Sequence, residues 1–74
     1  MLEIACVAGL LIFNTTAFNP NNINSINAKS DNVIVRTSQK HGNYYFDADS
    51  EKEAKEAWEY TLEAWRECKK EWNK

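Results

Sequence analysis

Residues 50–72 constrain what this chain can fold into more than any other stretch. They read S-E-K-E-A-K-E-A-W-E-Y-T-L-E-A-W-R-E-C-K-K-E-W. Ser50 followed by Glu53 is a capping box, in which each residue satisfies a main-chain N–H of the other. Ala54, Ala57, Trp58, Thr61, Leu62, Trp65, Cys68 and Trp72 fall on one face of a helix. Glu51, Glu53 and Glu56 crowd the first turns and Lys69, Lys70 and Lys74 the last, matching the helix dipole at both ends. The spacing predicts one long amphipathic helix over residues 50–72.

The remainder, residues 1–49, reads as strands. Residues 2–7 and 10–14 are apolar and β-branched on either side of Ala8-Gly9, and Gly9 can supply the positive φ of a hairpin turn. Asn14, Thr15 and Thr16 lead to the strong turn signal Asn19-Pro20-Asn21-Asn22. Residues 23–29 form a half-buried strand, and Ser30-Asp31-Asn32 closes a hairpin. In residues 32–38 Val33, Val35 and Thr37 take one face while Ile34 and Arg36 take the other. After a polar loop at 39–43, Tyr44 and Phe46 share one face of a short strand and Tyr45 the opposite one. The fold class is α+β: a small curled antiparallel sheet (β-β-β-β) followed by one long C-terminal helix, in a single domain spanning residues 1–74.

Length carries a further expectation. A helix of that size is about 34 Å long, whereas four strands make a sheet under about 20 Å wide. Trp58 and Leu62 are expected to pack on the sheet, which leaves Trp65 and Trp72 over. Exposed indoles favour association, so the chain is expected to form a homo-oligomer or to dock on a partner through Trp58, Leu62, Trp65 and Trp72.

Composition narrows the function classes. The chain is 43% hydrophobic and 12% aromatic, enough to fold. Its net charge of −2 opposes binding to a nucleic-acid polymer or an anionic membrane. The apolar run at residues 4–13 is shorter than the roughly 20 residues a bilayer span needs. It also lacks a preceding Lys or Arg, although Thr15-x-Ala17 would pass as a cleavage site. Cys6 and Cys68 stand at opposite ends of the chain; the spacing is not that of a disulfide scaffold but leaves a single bridge open, and buried free thiols in a reducing cytosol are the plainer reading, which implies a cytoplasmic location.

Few residues suggest chemistry. His41 is the only histidine, the cysteines lack metal-site spacing, and two glycines cannot build a phosphate loop. The acidic run Asp47, Asp49, Glu51 and Glu53 is explained by helix capping. No enzyme, metal site or cofactor is expected. The candidate ligand-binding residues are Arg36, Lys40, His41, Tyr44 and Tyr45, whose cationic and phenolic groups suit a phosphate and a stacked base. A solvated edge with half-buried tyrosines is the plainer reading of the same residues.

From Asn19 onward the pattern resembles the FlbD family of small flagellar-operon proteins and related short phage proteins. The residues that carry the likeness are N-P-x-x-I-x-x-I at 19–26, the V-I-V strand at 33–35, the turn at Gly42, the aromatic strand, and the D/S-rich helix cap. The region before Asn19 is longer than the family pattern, and the helix is longer and richer in tryptophan. The likeness implies the fold and no activity. Small size, acidic balance and the tryptophan stripe are similar to phage-encoded inhibitors. The expected function is therefore a non-enzymatic oligomeric binding protein that sequesters a small nucleotide-type signal in anti-defence. The alternative is a protein-interaction module docking on a host or flagellar partner. An exported or membrane-anchored protein using residues 4–18 is the third class.

Overall fold

The computed structural model describes residues 2–38 and 42–73. These residues form six strands, β1 (Ile4–Val7), β2 (Leu10–Phe13), β3 (Thr16–Phe18), β4 (Ile23–Lys29), β5 (Asn32–Thr37) and β6 (Asn43–Asp47), and a helix, α1 (Glu51–Trp72). A short 3-10 turn, Pro20–Asn22, precedes β4. The strands make two antiparallel three-stranded sheets, ordered β1-β2-β3 and β4-β5-β6. The α+β class stands, with two sheets in place of one. Six strands stand where four were expected; the one to which the sequence reading assigned no segment is β3, which pairs Ala17 with Ile12 and Phe18 with Leu11 across the Asn14-Thr15 turn.

Each hairpin follows from local chemistry. Ala8 and Gly9 both have positive φ, 53° and 81°, as a two-residue type I′ turn demands. Asn14 and Ser30 adopt φ of 55° and 53° at the first positions of the two-residue turns that follow β2 and β4. Asn19 Oδ1 accepts from the N–H of Asn21 and fixes the bend into Pro20. Ser50 is the N-cap of α1, its Oγ accepting from the N–H of Glu53 at 3.1 Å.

The two sheets meet through aromatic rings. Phe13 stacks on Phe46 at 4.9 Å, and Phe18 stands edge-on to Phe13, Tyr44 and Phe46. Leu11, Phe13, Val33 and Val35 are fully buried beneath α1, whose own buried line is Ala54, Thr61 and Cys68. The hydroxyl of Thr61 donates to the carbonyl of Ala57 at 2.6 Å, so a polar residue is tolerated in that line.

The helix spans the long axis of the molecule. Its 22 residues rise about 33 Å, against a longest dimension of 35 Å. Both sheets lie along it, and this corrects the expected shortage of sheet surface. Trp65 is not left over: its indole N–H donates to the carbonyl of Pro20 at 2.9 Å, while that of Trp58 donates to Ile26 at 2.6 Å. Trp58, Leu62 and Trp65 are all half-buried against the core. Trp72 is 41% exposed and sits over Gly9, where an added Cβ would come within 3.1 Å of its Cα.

The cysteines also depart from expectation. Cys6 of β1 and Cys68 of α1 are joined in a disulfide, with Cα atoms 5.7 Å apart and a sequence separation of 62. They are not free thiols. The pairing is non-local and invisible to spacing: it forms because β1 runs alongside α1 and brings the two Cα atoms within bonding reach. Closing a loop this long removes chain entropy worth about 4 kcal/mol from the unfolded state in the loop-closure account.

Three stability measurements check this picture. Reduction, or the double change Cys6→Ala and Cys68→Ala, is expected to cost about 2–4 kcal/mol. At this chain length that lowers the thermal midpoint by more than about 10 °C; an unchanged midpoint would show that the bond contributes nothing. In the β1–β2 turn, Gly9→Ala is expected to cost roughly 2 kcal/mol or more, from positive φ and the collision with Trp72. Ala8→Asn, which creates an Asn-Gly turn, is expected to stabilise by about 0.5–1 kcal/mol in the same denaturant titration.

Candidate functional site

The cross-strand register of the second sheet decides which candidate residues can act together. Val33 pairs with Phe46 and Val35 with Tyr44, so these side chains face the core. Ile34 pairs with Tyr45 and Arg36 with Asn43, which places Arg36 and Tyr45 diagonally on the opposite face. On β4, Asn27 lies across from Ile34 and Ser25 from Arg36. The amide of Asn27 donates to Ser25 Oγ at 3.5 Å along that same face. Helix α1 covers only the inner side.

The outer face thus carries Ser25, Asn27, Arg36, Asn43 and Tyr45 around Ile34. Ile34 is only 5% exposed, whereas Tyr45 is 62% exposed. Arg36 is exposed beside it. The Oδ1 of Asn32, at the end of this face, is buried without a hydrogen-bond partner among the described residues. A ring and a guanidinium about one diagonal step apart can stack on a planar group and hold an anionic one.

Of the five candidate ligand residues, the fold brings together Arg36 and Tyr45. Tyr44 is on the other side of the sheet, edge-on to Phe18 at 5.0 Å, and serves the core. Lys40 and His41 lie outside the described residues. Among the described residues no group of three or more His, Cys, Asp or Glu is arranged to hold a metal ion. No helix among them is long and apolar enough to cross a membrane. Residues 4–18, considered above as an export segment, form β1, β2 and β3 and supply the buried Leu11, Phe13 and Phe18.

A concave region elsewhere on the molecule has no counterpart in the sequence reading. Helix α1 and strand β1 flank two clefts that share Tyr60, one of about 500 Å³ with Cys6, Glu63, Ala64 and Glu67, the other of about 310 Å³ with Leu2, Ile4, Glu53, Glu56 and Ala57. The signal was available in the helix periodicity. At 100° per residue Glu53, Glu56, Glu63 and Glu67 share one flank, and Lys55, Arg66 and Lys69 the other. What sequence did not show is that β1 runs beside the acidic flank.

Neither a protein-family model, nor a curated protein, nor a solved structure matches this chain.

The division between the two tyrosines is directly measurable. Tyr44→Ala is expected to cost about 2–3 kcal/mol by opening the aromatic cluster. Tyr45→Ala is expected to stay within about 0.5 kcal/mol of the parent. Equal losses in chemical denaturation would contradict the pairing of β5 with β6.

Proposed function

We propose that this chain is a non-enzymatic binding protein that holds a small planar anion of the nucleotide type on the outer face of β4-β5-β6. The observation that carries the reading is the shared placement of Arg36 and Tyr45 on the sheet face turned away from α1. A phenol ring stacks on a base with about 1–3 kcal/mol, and a guanidinium pairs with phosphate through parallel hydrogen bonds. Ser25, Asn27 and Asn43 surround the pair with donors and acceptors that suit a base edge or a sugar hydroxyl.

Tyr45 and Arg36 are both exposed, so one copy would leave a bound ligand partly open to solvent. A second copy laid against it would close the site, and this is the form of homo-oligomer the proposal favours. Docking a partner through the tryptophans is less well supported, because the indole N–H groups of Trp58 and Trp65 are already bonded to main-chain carbonyls.

The Cys6–Cys68 bond bears on location. Its presence removes the reason for a cytoplasmic placement and favours an oxidising compartment. Sequestration of a signalling nucleotide, the anti-defence role, is the cytosolic form of this proposal. It requires the fold to hold with both thiols reduced.

Native mass spectrometry of protein purified gently from cells, followed by calorimetric titration with adenosine and guanosine mono- and cyclic nucleotides, tests the proposal. A closed oligomer carrying a few hundred daltons of extra mass per site is expected. Arg36→Ala and Tyr45→Ala are each expected to weaken nucleotide binding by about tenfold with an unchanged melting midpoint. Nucleotide affinity that neither change alters, or no binding to any of them, would overturn the assignment.

A further inference from the structure

Strand β1 is an edge of its sheet, with β2 on one side and, among the described residues, no strand on the other. Its hydrogen-bonding phase is fixed by two contacts to Asn14. The N–H of Glu3 donates to Asn14 Oδ1 at 3.0 Å, and the N–H of Asn14 donates to the carbonyl of Glu3 at 2.7 Å. In an antiparallel pair the next bonded positions are Ala5 and Val7, opposite Ile12 and Leu10. The N–H and C=O groups of Ile4 and Cys6 therefore point away from β2, toward the open edge.

What lies beside that edge is the acidic flank of α1. Among the described residues, the two clefts between β1 and the helix are lined by Glu53, Glu56, Glu63 and Glu67, and by no lysine or arginine. Their floor is apolar, built from Leu2, Ile4, Ala57 and Ala64, with Tyr60 between them and 59% exposed. Two further exposed apolar side chains, Val7 at 56% and Trp72 at 41%, stand at the β1–β2 hairpin end of the same edge. Glu67 also meets Lys70 at 3.5 Å, an exposed i,i+3 pair of small energetic value.

We propose that this edge docks an extended, cationic segment of another protein, which adds to β1 as a further strand. Main-chain hydrogen bonds to Ile4 and Cys6 supply the register. Alternate side chains of the added strand lie over Tyr60, Ala57 and Ala64, and at these positions lysine or arginine fits best. Their alkyl stems cover the apolar floor while their charged ends reach Glu56 and Glu63. The disulfide holds β1 against the helix, so the groove is preformed. The charge pattern also selects against a second copy at this edge. Pairing β1 with β1 of another copy would bring two rows of glutamates together, and like charges across strands are destabilising. This inference is independent of the nucleotide-binding face, which belongs to the other sheet.

The test uses the oxidised protein and a capped heptapeptide of alternating lysine and valine, with its glutamate–valine counterpart as control. The lysine peptide is expected to bind, to lose affinity as salt is raised from about 50 to 300 mM, and to slow amide hydrogen exchange at Ile4 and Cys6. The double change Glu56→Gln and Glu63→Gln is expected to weaken it about fivefold, each exposed pair contributing modestly, with the melting midpoint retained. Equal binding of the glutamate peptide, no change in the Glu56 and Glu63 variant, binding without protection of Ile4 and Cys6, or dimerisation through β1 in the absence of peptide would each overturn the proposal.

Discussion

The bond between Cys6 and Cys68 joins the first strand to the penultimate turn of α1, and most of the fold is enclosed between those two points. A three-stranded sheet of four-, four- and three-residue strands has little independent stability. A chain of 74 residues is also in the range where a core alone is marginal and a covalent staple is a common remedy. The staple matters because β1–β3 would otherwise be held to the helix through one apolar face. With it, β1 is fixed in distance and direction, Gly9 is seated under Trp72, and the aromatic rings of both sheets close on each other.

The helix serves the two sheets differently. Toward β1 it presents Ala57 and Ala64, small enough for a strand to approach within disulfide reach. Toward β4 and the 3-10 turn it presents Trp58 and Trp65, whose indole N–H groups donate to the carbonyls of Ile26 and Pro20. Lys69 lies over the ring of Trp65 at 4.7 Å, adding a cation–π contact on that side.

What the sequence disclosed, and what it hid, follows from range. The helix was legible because its cap, dipole and periodicity are properties of neighbouring residues, and in the structure it begins one residue after Ser50, its cap. The alternation of Val33, Ile34, Val35 and Arg36, and of Tyr44, Tyr45 and Phe46, was legible for the same reason, whereas the shared face of Arg36 and Tyr45 follows from the register of β5 with β6. Strand β3 was not: Thr-Ala-Phe is too short for periodicity and reads as the tail of a turn. Without it the sheet surface looks too small, and Trp65 is then assigned to a partner it does not require. The cysteine pairing depends on contacts across nearly the whole chain, which no local pattern records.

The surplus surface left by this packing bears on what the chain does. Tyr45 stands on the outer face of the second sheet, while Val7, Tyr60 and Trp72 gather around β1 and the helix beside it. A monomeric domain leaves single apolar side chains exposed without consequence, but a group of them beside an open strand edge is an association risk. Short length and flanking carboxylates limit that risk for β1, since a neutral or acidic strand gains nothing by approaching Glu56 and Glu63. The same carboxylates do not repel a basic strand. An edge guarded in this way is selective by charge: the carboxylates that disfavour pairing of β1 with a second β1 are the ones a basic strand would meet.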